Sequence, residues 1–232
     1  MNLKDKNLTE KNNQSIITVA GVGGCGGNAV NYTYRQGIHL VDFVICNTDS
    51  QALEKSPVPV KIHLGKRELG AEGNPQAGRK EAEESIDEIR AVLENGSKIV
   101  LVVAGMGGGT GTGASPVIAR VAKELGIITA AIVTIPFRFE GPRRIKQALE
   151  GINELKAHVD SLLVIDNEKL REIYGDLNLG EAFSKADNVL TIAVKSIAEL
   201  MTIPTKEAVE TAMNTALLNN SDIIAPALIV KI

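Results

Sequence analysis

The sequence predicts an α/β fold built on a doubly wound, mainly parallel sheet, and three observations lead there. Runs of consecutive apolar residues alternate with segments whose apolar positions recur every three or four residues, the patterns of buried strands and amphipathic helices. Aromatic residues make up only 3% of the chain and Trp is absent, so the core must be assembled from Ala, Val, Ile and Leu. That composition suits parallel strands covered by helices. Two glycine-rich stretches also follow directly on apolar runs, and open α/β sheets bind ligands at the carboxyl ends of their strands.

The elements follow in order. Residues 1–14 are polar, rich in Lys and Asn and without the apolar stretch of a signal peptide, and read as a disordered arm. Ser15–Ala20 is a strand that runs into glycines. A helix is expected over about residues 28–36 and a strand over Val41–Asn47. A turn-rich stretch with Pro57, Pro59, Gly65, Gly70, Gly73 and Pro75 leads to one charged helix, Gln76–Asn95, with Ile86, Ile89 and Leu93 on one face. Lys98–Ala104 is a central strand, Gly105–Gly113 a loop, Ser115–Leu125 a helix and Ile127–Ile135 a strand closed by Pro136. From Gly180 to Met201, Phe183, Ala186, Leu190, Ala193, Ile197 and Leu200 keep helical spacing until Pro204 stops the helix. Lys206–Leu218 reads as a helix and Ala227–Ile232 as a strand. The expected organisation is an α/β domain over residues 15–179, a long helix over 180–203 and a helix–strand piece over 204–232, too short to be a second domain.

Net charge is −3, from 25 Lys and Arg against 28 Asp and Glu, which gives no general attraction to nucleic acid. Two cysteines, Cys25 and Cys46, are too few for a disulfide framework or a zinc site, and a reducing cytoplasm is expected. The longest apolar stretch, around Ile99–Val103, is far too short to span a bilayer.

The loop GMGGGTGTG, Gly105–Gly113, carries the clearest chemistry, and six of its nine residues are glycine. Glycine lets the backbone approach a ligand without an intervening Cβ, so successive N–H groups converge on an anion. The helix behind it adds its positive N-terminal end. Thr110 and Thr112 add hydroxyl donors. Hydrogen bonds to a charged group contribute about 1.5–3 kcal/mol each, so roughly four or five suffice for micromolar binding of a phosphate chain. A flexible turn is the plain alternative, but such turns rarely place this many glycines between a buried strand and a helix.

The first loop, Gly21–Asn28, contains Gly21-x-Gly23-x-x-Gly26, a weak dinucleotide-binding pattern by itself. Asp42 stands at the sequence distance of a ribose-binding acid, so an NAD-type oxidoreductase has to be weighed. Against it, a second and richer glycine loop is not expected in a simple dinucleotide fold, and the three histidines, His39, His63 and His158, sit in no motif. Gly-x4-Gly-Lys-[Ser/Thr] is absent, which excludes a P-loop NTPase.

GVGGCGGNAV, ICNTDSQAL, GAEGNPQAGRKEAEES, GMGGGTGTGASPVIA, TIPFRFEGPRR, AHVDSLLVIDNEKL and EAFSKADNVL occur in this order over about residues 16–203. In this the chain resembles the tubulin/FtsZ family of GTPases, to which GMGGGTGTG is highly specific. The resemblance implies GTP or GDP as ligand, with Mg²⁺, in a Rossmann-like GTPase domain. It places Gly23, Gly24, Cys25 and Asn28 near the α-phosphate and base, and Gly73 and Asn74 in a further nucleotide-side loop. It places Gly105, Gly107, Gly108, Gly109, Thr110, Gly111 and Thr112 around the β- and γ-phosphates. Glu140 is then expected on the ribose hydroxyls and Arg144 on phosphate charge. Asn167 and Asp187 are expected to read the base, because a carboxylate accepts the paired N1–H and N2–H₂ donors of guanine, which adenine lacks. Phe183 is expected to stack on the purine. Without the loops, Glu140 and Arg144 read as a surface ion pair and Asp187 as a solvated helix residue.

Some positions depart from the family. Glu72 stands where a small residue is usual. At about 4 Å from a γ-phosphate and an effective dielectric of about 20, its carboxylate is repelled by roughly 4 kcal/mol, so Glu72 either points outward or helps to hold Mg²⁺. Cys25 replaces a usual glycine and reads as a small structural residue. The family's central helix leads to a loop whose acidic residue enters the neighbouring subunit's nucleotide site, so hydrolysis is made between subunits. Here Met201-Thr-Ile-Pro204 passes straight to Thr205-Lys-Glu-Ala, and residues 204–232 resemble a remnant of the family's C-terminal domain. The resemblance thus implies a guanine-nucleotide-binding subunit of a filament-forming cell-division GTPase, at the cytoplasmic division site. Its partners are copies of itself or full-length subunits, head to tail, and its own hydrolysis is weak or absent. The family's C-terminal membrane-docking peptide has no counterpart, so neither membrane nor nucleic acid is an expected partner. A nucleotide-binding structural module without turnover remains the alternative.

Overall fold

The computed structural model describes residues 15–38, 41–66, 70–175, 177–200, 205–219 and 228–231. The expected arm over 1–14, the end of the long helix at Met201 and the break after Pro204 lie outside the described residues.

Among the described residues the sheet has seven strands: β1 (Ile17–Val22), β2 (Val41–Asn47), β3 (Val60–His63), β4 (Ile99–Gly105), β5 (Ile128–Ile135), β6 (Ser161–Asp166) and β7 (Leu228–Lys231). Their spatial order is β3-β2-β1-β4-β5-β6-β7. β1 to β6 are parallel, and β7 runs antiparallel to β6. Parallel neighbours need crossovers, and helices supply them: α1 (Gly23–Arg35), α2 (Ser50–Glu54), α3 (Pro75–Glu84), α4 (Ile86–Leu93), α5 (Thr110–Glu124) and α6 (Pro142–Lys156); α7 (Asn167–Tyr174) comes after β6. The long α8 (Leu179–Leu200) and then α9 (Lys206–Asn219) follow.

The chain leaves β1 toward β2 and β3, then returns to lay β4 on the other side of β1. The order of strands reverses between β1 and β4, the crevice where open α/β sheets bind ligands. Both glycine loops end these two strands, so the topology brings them side by side.

β4 explains why the sheet can sit centrally. Ile99–Ala104 is wholly buried, and burying a Val, Leu or Ile side chain contributes about 1.5–3 kcal/mol. Its odd residues face a core completed by α1, α8 and α9, with Ala29, Val30, Val189, Leu190, Ala193 and Ile197. Its even residues face a second core under α3 to α6, with Ala82, Ile89, Ile118, Ile152 and Leu155.

Several expected elements differ. The charged helix is two helices, α3 and α4, broken at Ser85, which has φ −111° and ψ 16°. The Ser85 hydroxyl accepts from Gly65 N at 2.8 Å and faces His63 O at 3.4 Å, so the end of β3 holds the break in place. α1 and α5 begin at Gly23 and Thr110 rather than at residues 28 and 115, because the glycine stretches already wind into the first helical turns. α2, β3, α6, β6 and α7 were not read from periodicity. They are short, or rich in charge, such as α6 with PRRIKQALEGINELK, six of whose fifteen residues are charged.

α9 is tied back to the sheet. Lys206 Nζ lies 2.5 Å from Asp160 Oδ1, and Val209, Ala212 and Met213 join the α8 core.

Candidate functional site

A cavity of about 490 Å³ opens at the carboxyl ends of β1, β4 and β5. Its lining includes Gly24, Cys25 and Asn28 from α1, Gly105 to Gly111 from the second loop (Gly107 excepted), Glu140 and Arg144, and Asn167, Phe183 and Asp187 from α7 and α8. Two helix N-termini, of α1 and α5, therefore meet in one crevice. Their first N–H groups have no intrahelical partner and carry partial positive charge. Of the lining side chains only Arg144 is cationic, against Glu140 and Asp187. An anion there must be held largely by backbone N–H groups and the helix ends.

Not every expected residue reaches the cavity. Thr112 is 3% exposed and its Oγ1 accepts from Gly107 N at 2.8 Å. This bond consumes the Gly107 N–H and braces the loop from behind. Gly23 packs against Gly111, where a Cβ would come 2.9 Å from the Gly111 nitrogen. Gly73 and Asn74 also lie off the cavity wall. Asn74 caps α3, its side chain accepting from Gln76 N at 3.0 Å. This loop touches the second one all the same, since a Cβ on Gly109 would meet Ala71 and Asn74 N. Glu72 is exposed, lines no part of the cavity and takes φ 47°, the one positive φ of a non-glycine residue among the described residues.

The acidic and basic groups are organised. Glu140 Oε2 accepts from Arg144 Nη1 at 2.7 Å, and its Oε1 accepts from Phe137 N at 2.9 Å. The Glu140 side chain is 11% exposed and that of Arg144 54%. The pair thus joins a buried carboxylate to a half-exposed cation, more than a surface contact. Burial raises the pKa of Asp187 above the ordinary carboxylate range, and the nearby Cys25 thiol, 3.9 Å from Asp187 Oδ1, works against that rise. Phe183 is 40% exposed and stands edge-on to Phe137 and Phe139, at 5.6 and 6.0 Å. It belongs to the periodic face of α8, yet it faces the cavity mouth instead of the core.

Two observations fit an occupant with a polar body and a phosphate chain. Asn167 is 6% exposed and its Oδ1 has no hydrogen-bond partner. A buried unpaired amide oxygen is costly by about 1–3 kcal/mol, and Asn167 is one of the residues that line the cavity. A Cβ built on Gly24 or Gly108 meets nothing within 4 Å, and neither residue has positive φ. No packing or backbone demand inside the chain requires glycine there, whereas a close-lying ligand does.

Met106, Thr134, Pro136 and Ala186 also line the cavity and were not anticipated. Thr134 and Pro136 were within reach of the sequence, because β5 neighbours β4 and its carboxyl end falls beside Gly105, which pairs with Thr134. Asp42 proves unsuited to the dinucleotide reading. It is the second residue of β2 and pairs with Thr18 near the start of β1. That puts it about 16 Å, at roughly 3.3 Å per residue, from the carboxyl end where the loops lie.

Residues 16–175 match the profile of the Tubulin/FtsZ family, GTPase domain. Cell division protein FtsZ of Porphyromonas gingivalis is 53% identical over 199 residues, covering 84% of this chain and 44% of that protein. The namesake protein of Mycoplasmopsis pulmonis is 52% identical over 190 residues, covering 81% and 48%. The chain thus spans about half the length of the curated relatives it matches. Among solved structures, the FtsZ dimer of M. jannaschii, in its empty form, superimposes with a TM-score of 0.80 at 44% identity, over 87% of this chain and 60% of that one. CetZ1 of Haloferax volcanii, at 23% identity, shares the fold with a TM-score of 0.73, over 85% and 64%. With the match running through both glycine loops and across the whole sheet from β1 to β6, the chain belongs to the tubulin/FtsZ family and carries its GTPase domain.

Proposed function

We propose that this chain is a guanine-nucleotide-binding subunit of a cell-division GTPase that assembles head to tail, in the cytoplasm at the division site. The observation that carries the reading is the convergence of two helix N-termini and the second glycine loop on one cavity that Asn167, Phe183 and Asp187 also line. The phosphate chain lies along Gly105–Gly111. Glu140 accepts from the ribose hydroxyls and Arg144 reaches phosphate oxygens with its remaining donors. Asp187 accepts the paired donors of guanine, Asn167 Oδ1 gains a partner, and Phe183 packs on the purine face.

Among the described residues no group of three or more His, Cys, Asp or Glu side chains is placed to hold a metal ion. Mg²⁺ would therefore arrive on the phosphates, its usual mode of binding, where it offsets their charge.

Hydrolysis needs a group that positions water at the γ-phosphate. The resemblance assigns that group to an acidic loop after the long helix, offered to the neighbouring subunit, and the sequence from Met201 to Thr205 leaves no room for it. The isolated chain is then a binding subunit with weak turnover. It adds to the end of a filament of full-length subunits and terminates it. The test is GTP turnover of the chain alone and mixed with a full-length relative. The reading predicts negligible phosphate release alone and inhibited release in the mixture. Robust release by the isolated chain, rising with its concentration, would overturn the impairment and point to another acid such as Asp222 or Glu207.

A further inference from the structure

The turn that carries Glu140, Phe137–Gly141, has little packing of its own. Phe137 is buried at its start, but Arg138 beyond it is exposed and Phe139 is half exposed. Inside the turn, Glu140 N and Gly141 N donate to Phe137 O and Arg138 O, both at 3.1 Å, and Glu140 Oε1 accepts from Phe137 N. A bond from another element fixes the second residue: Arg138 N donates to Glu168 Oε2 at 2.9 Å. Glu168 is the second residue of α7, directly after the cavity-lining Asn167, and does not itself line the cavity.

The Glu168 side chain is only 5% exposed, a depth at which a carboxylate is rarely found unless paired. Its pairing is divided between its two oxygens. Oε1 accepts from Arg171 Nε at 2.8 Å and from Nη2 at 2.6 Å, and Oε2 takes the Arg138 amide. Glu140 is arranged alike, with Arg144 on one oxygen and the Phe137 amide on the other. The successive amides of Phe137 and Arg138 therefore end on two carboxylates, one from the cavity wall and one from α7.

We infer that Glu168 is a positioning residue: it acts through the Arg138 amide to hold the turn where Glu140 meets the ribose hydroxyls, and it touches no ligand itself. The inference rests on the proposed nucleotide reading. Because the Glu140 carboxylate is bonded to the first amide of its own turn, a displacement of the turn carries the carboxylate with it. Binding groups must be held to within about 0.5 Å of their working geometry by such supporting bonds. Asp at position 168 keeps the charge and its favourable place at the start of a helix. It is a methylene shorter, by about 1.5 Å, and cannot serve both Arg138 N and Arg171.

The test titrates the full chain and its variants E168D, E168A and R171M with GDP and with 2′,3′-dideoxy-GDP, which lacks the ribose hydroxyls. Urea melts run in parallel, and GDP binding by the unaltered chain is measured first. The expected result is that E168D and E168A weaken GDP by about tenfold, the worth of roughly one hydrogen bond, and leave dideoxy-GDP within about twofold. The double variant E140A/E168D should bind GDP as E140A alone does. R171M, which removes the ion pair and leaves Oε2 in place, should lose stability without losing GDP. Should E168A fail to fold, E168D and R171M carry the test between them. An equal loss for both nucleotides, or a loss in R171M that matches E168D, would assign Glu168 to the general stability of α7 and overturn the inference. So would GDP binding unchanged in E168D. A folded, unaltered chain that never binds GDP removes the nucleotide reading and this inference with it.

Discussion

Thr112 Oγ1 accepts the Gly107 backbone N–H at 2.8 Å, so one member of the glycine loop holds another in shape from within the protein. The hydroxyl looked in the sequence like a phosphate donor. In the fold it is buried, away from the cavity wall. T112A leaves the Gly107 N–H without its partner at a buried position, at a cost of about 1–3 kcal/mol. The expected outcome is a lower midpoint of denaturant unfolding, with T112S close to the original chain because the hydroxyl remains. Urea melts of the three proteins check it.

Gly108 and Gly26 make a contrasting pair. Gly108 lines the cavity and a Cβ there meets nothing, so G108A keeps stability within about 1 kcal/mol and weakens nucleotide binding by at least about tenfold, or ~1.4 kcal/mol. Gly26 packs α1 against β4, where a Cβ would run into the Val103 carbonyl, so G26A loses about 1–3 kcal/mol of stability. Parallel unfolding and binding titrations separate the two effects.

Arg144 is half exposed and, among the described residues, pairs with Glu140. R144A is expected to leave the melting temperature nearly unchanged, since exposed ion pairs contribute about 0–1 kcal/mol. The same change weakens nucleotide binding by about ten- to a hundredfold through a lost charge-assisted contact of about 1.5–3 kcal/mol. A GTP binding curve that does not move would remove Arg144 from the site.

Asp187 gives a pH dependence of known sign. Its folded pKa is raised by burial above the unfolded value. The folded chain thus binds this proton more tightly, and the group's contribution to stability is greatest at acid pH and declines as pH rises through the raised value. Guanine binding through the carboxylate has the opposite slope, full above that value and lost as pH falls through it. GDP titrations from about pH 4.5 to 8 should show this acid limb in the original chain. They should show a flatter profile, with affinity about ten- to a hundredfold lower, in D187N.

Asp160 behaves the other way and reports on the helix–strand piece. Burial alone would raise its pKa, but hydrogen bonds from Lys206 on α9 and from Thr129 N hold it below the ordinary value. Its stabilising contribution is therefore present at neutral pH and lost as pH falls through that depressed value. K206M should move the acid loss of stability to higher pH, followed by the melting of α9.

The sheet was legible because β4 is an unbroken apolar run and β1 and β5 are apolar but for a threonine or two, a pattern that suits a doubly covered parallel sheet. The glycine-loop end of the cavity was legible because six glycines between strand and helix leave few other physical readings. What was not legible depends on tertiary context. No local pattern tells that Ser85 is drawn to the end of β3, that Thr112 turns inward, or that Asp42 sits at the wrong end of its strand. Glu140, Asn167 and Asp187 sit on separate elements, and their spacing in the chain carries no signal of their meeting. The family resemblance named them, and the fold places all three on one cavity wall. Gly73 and Asn74, named by the same route, sit one layer behind it.

The most direct measurement is a calorimetric titration of the chain with GDP, ADP and NAD under identical conditions. The account predicts GDP binding at a Kd of about 1 μM or tighter, near −8 kcal/mol. ADP and NAD should be weaker by at least about a hundredfold, because Asp187 and Asn167 lose their paired donors. Equal or tighter binding of ADP or NAD, or no binding of GDP to a folded chain, would contradict it.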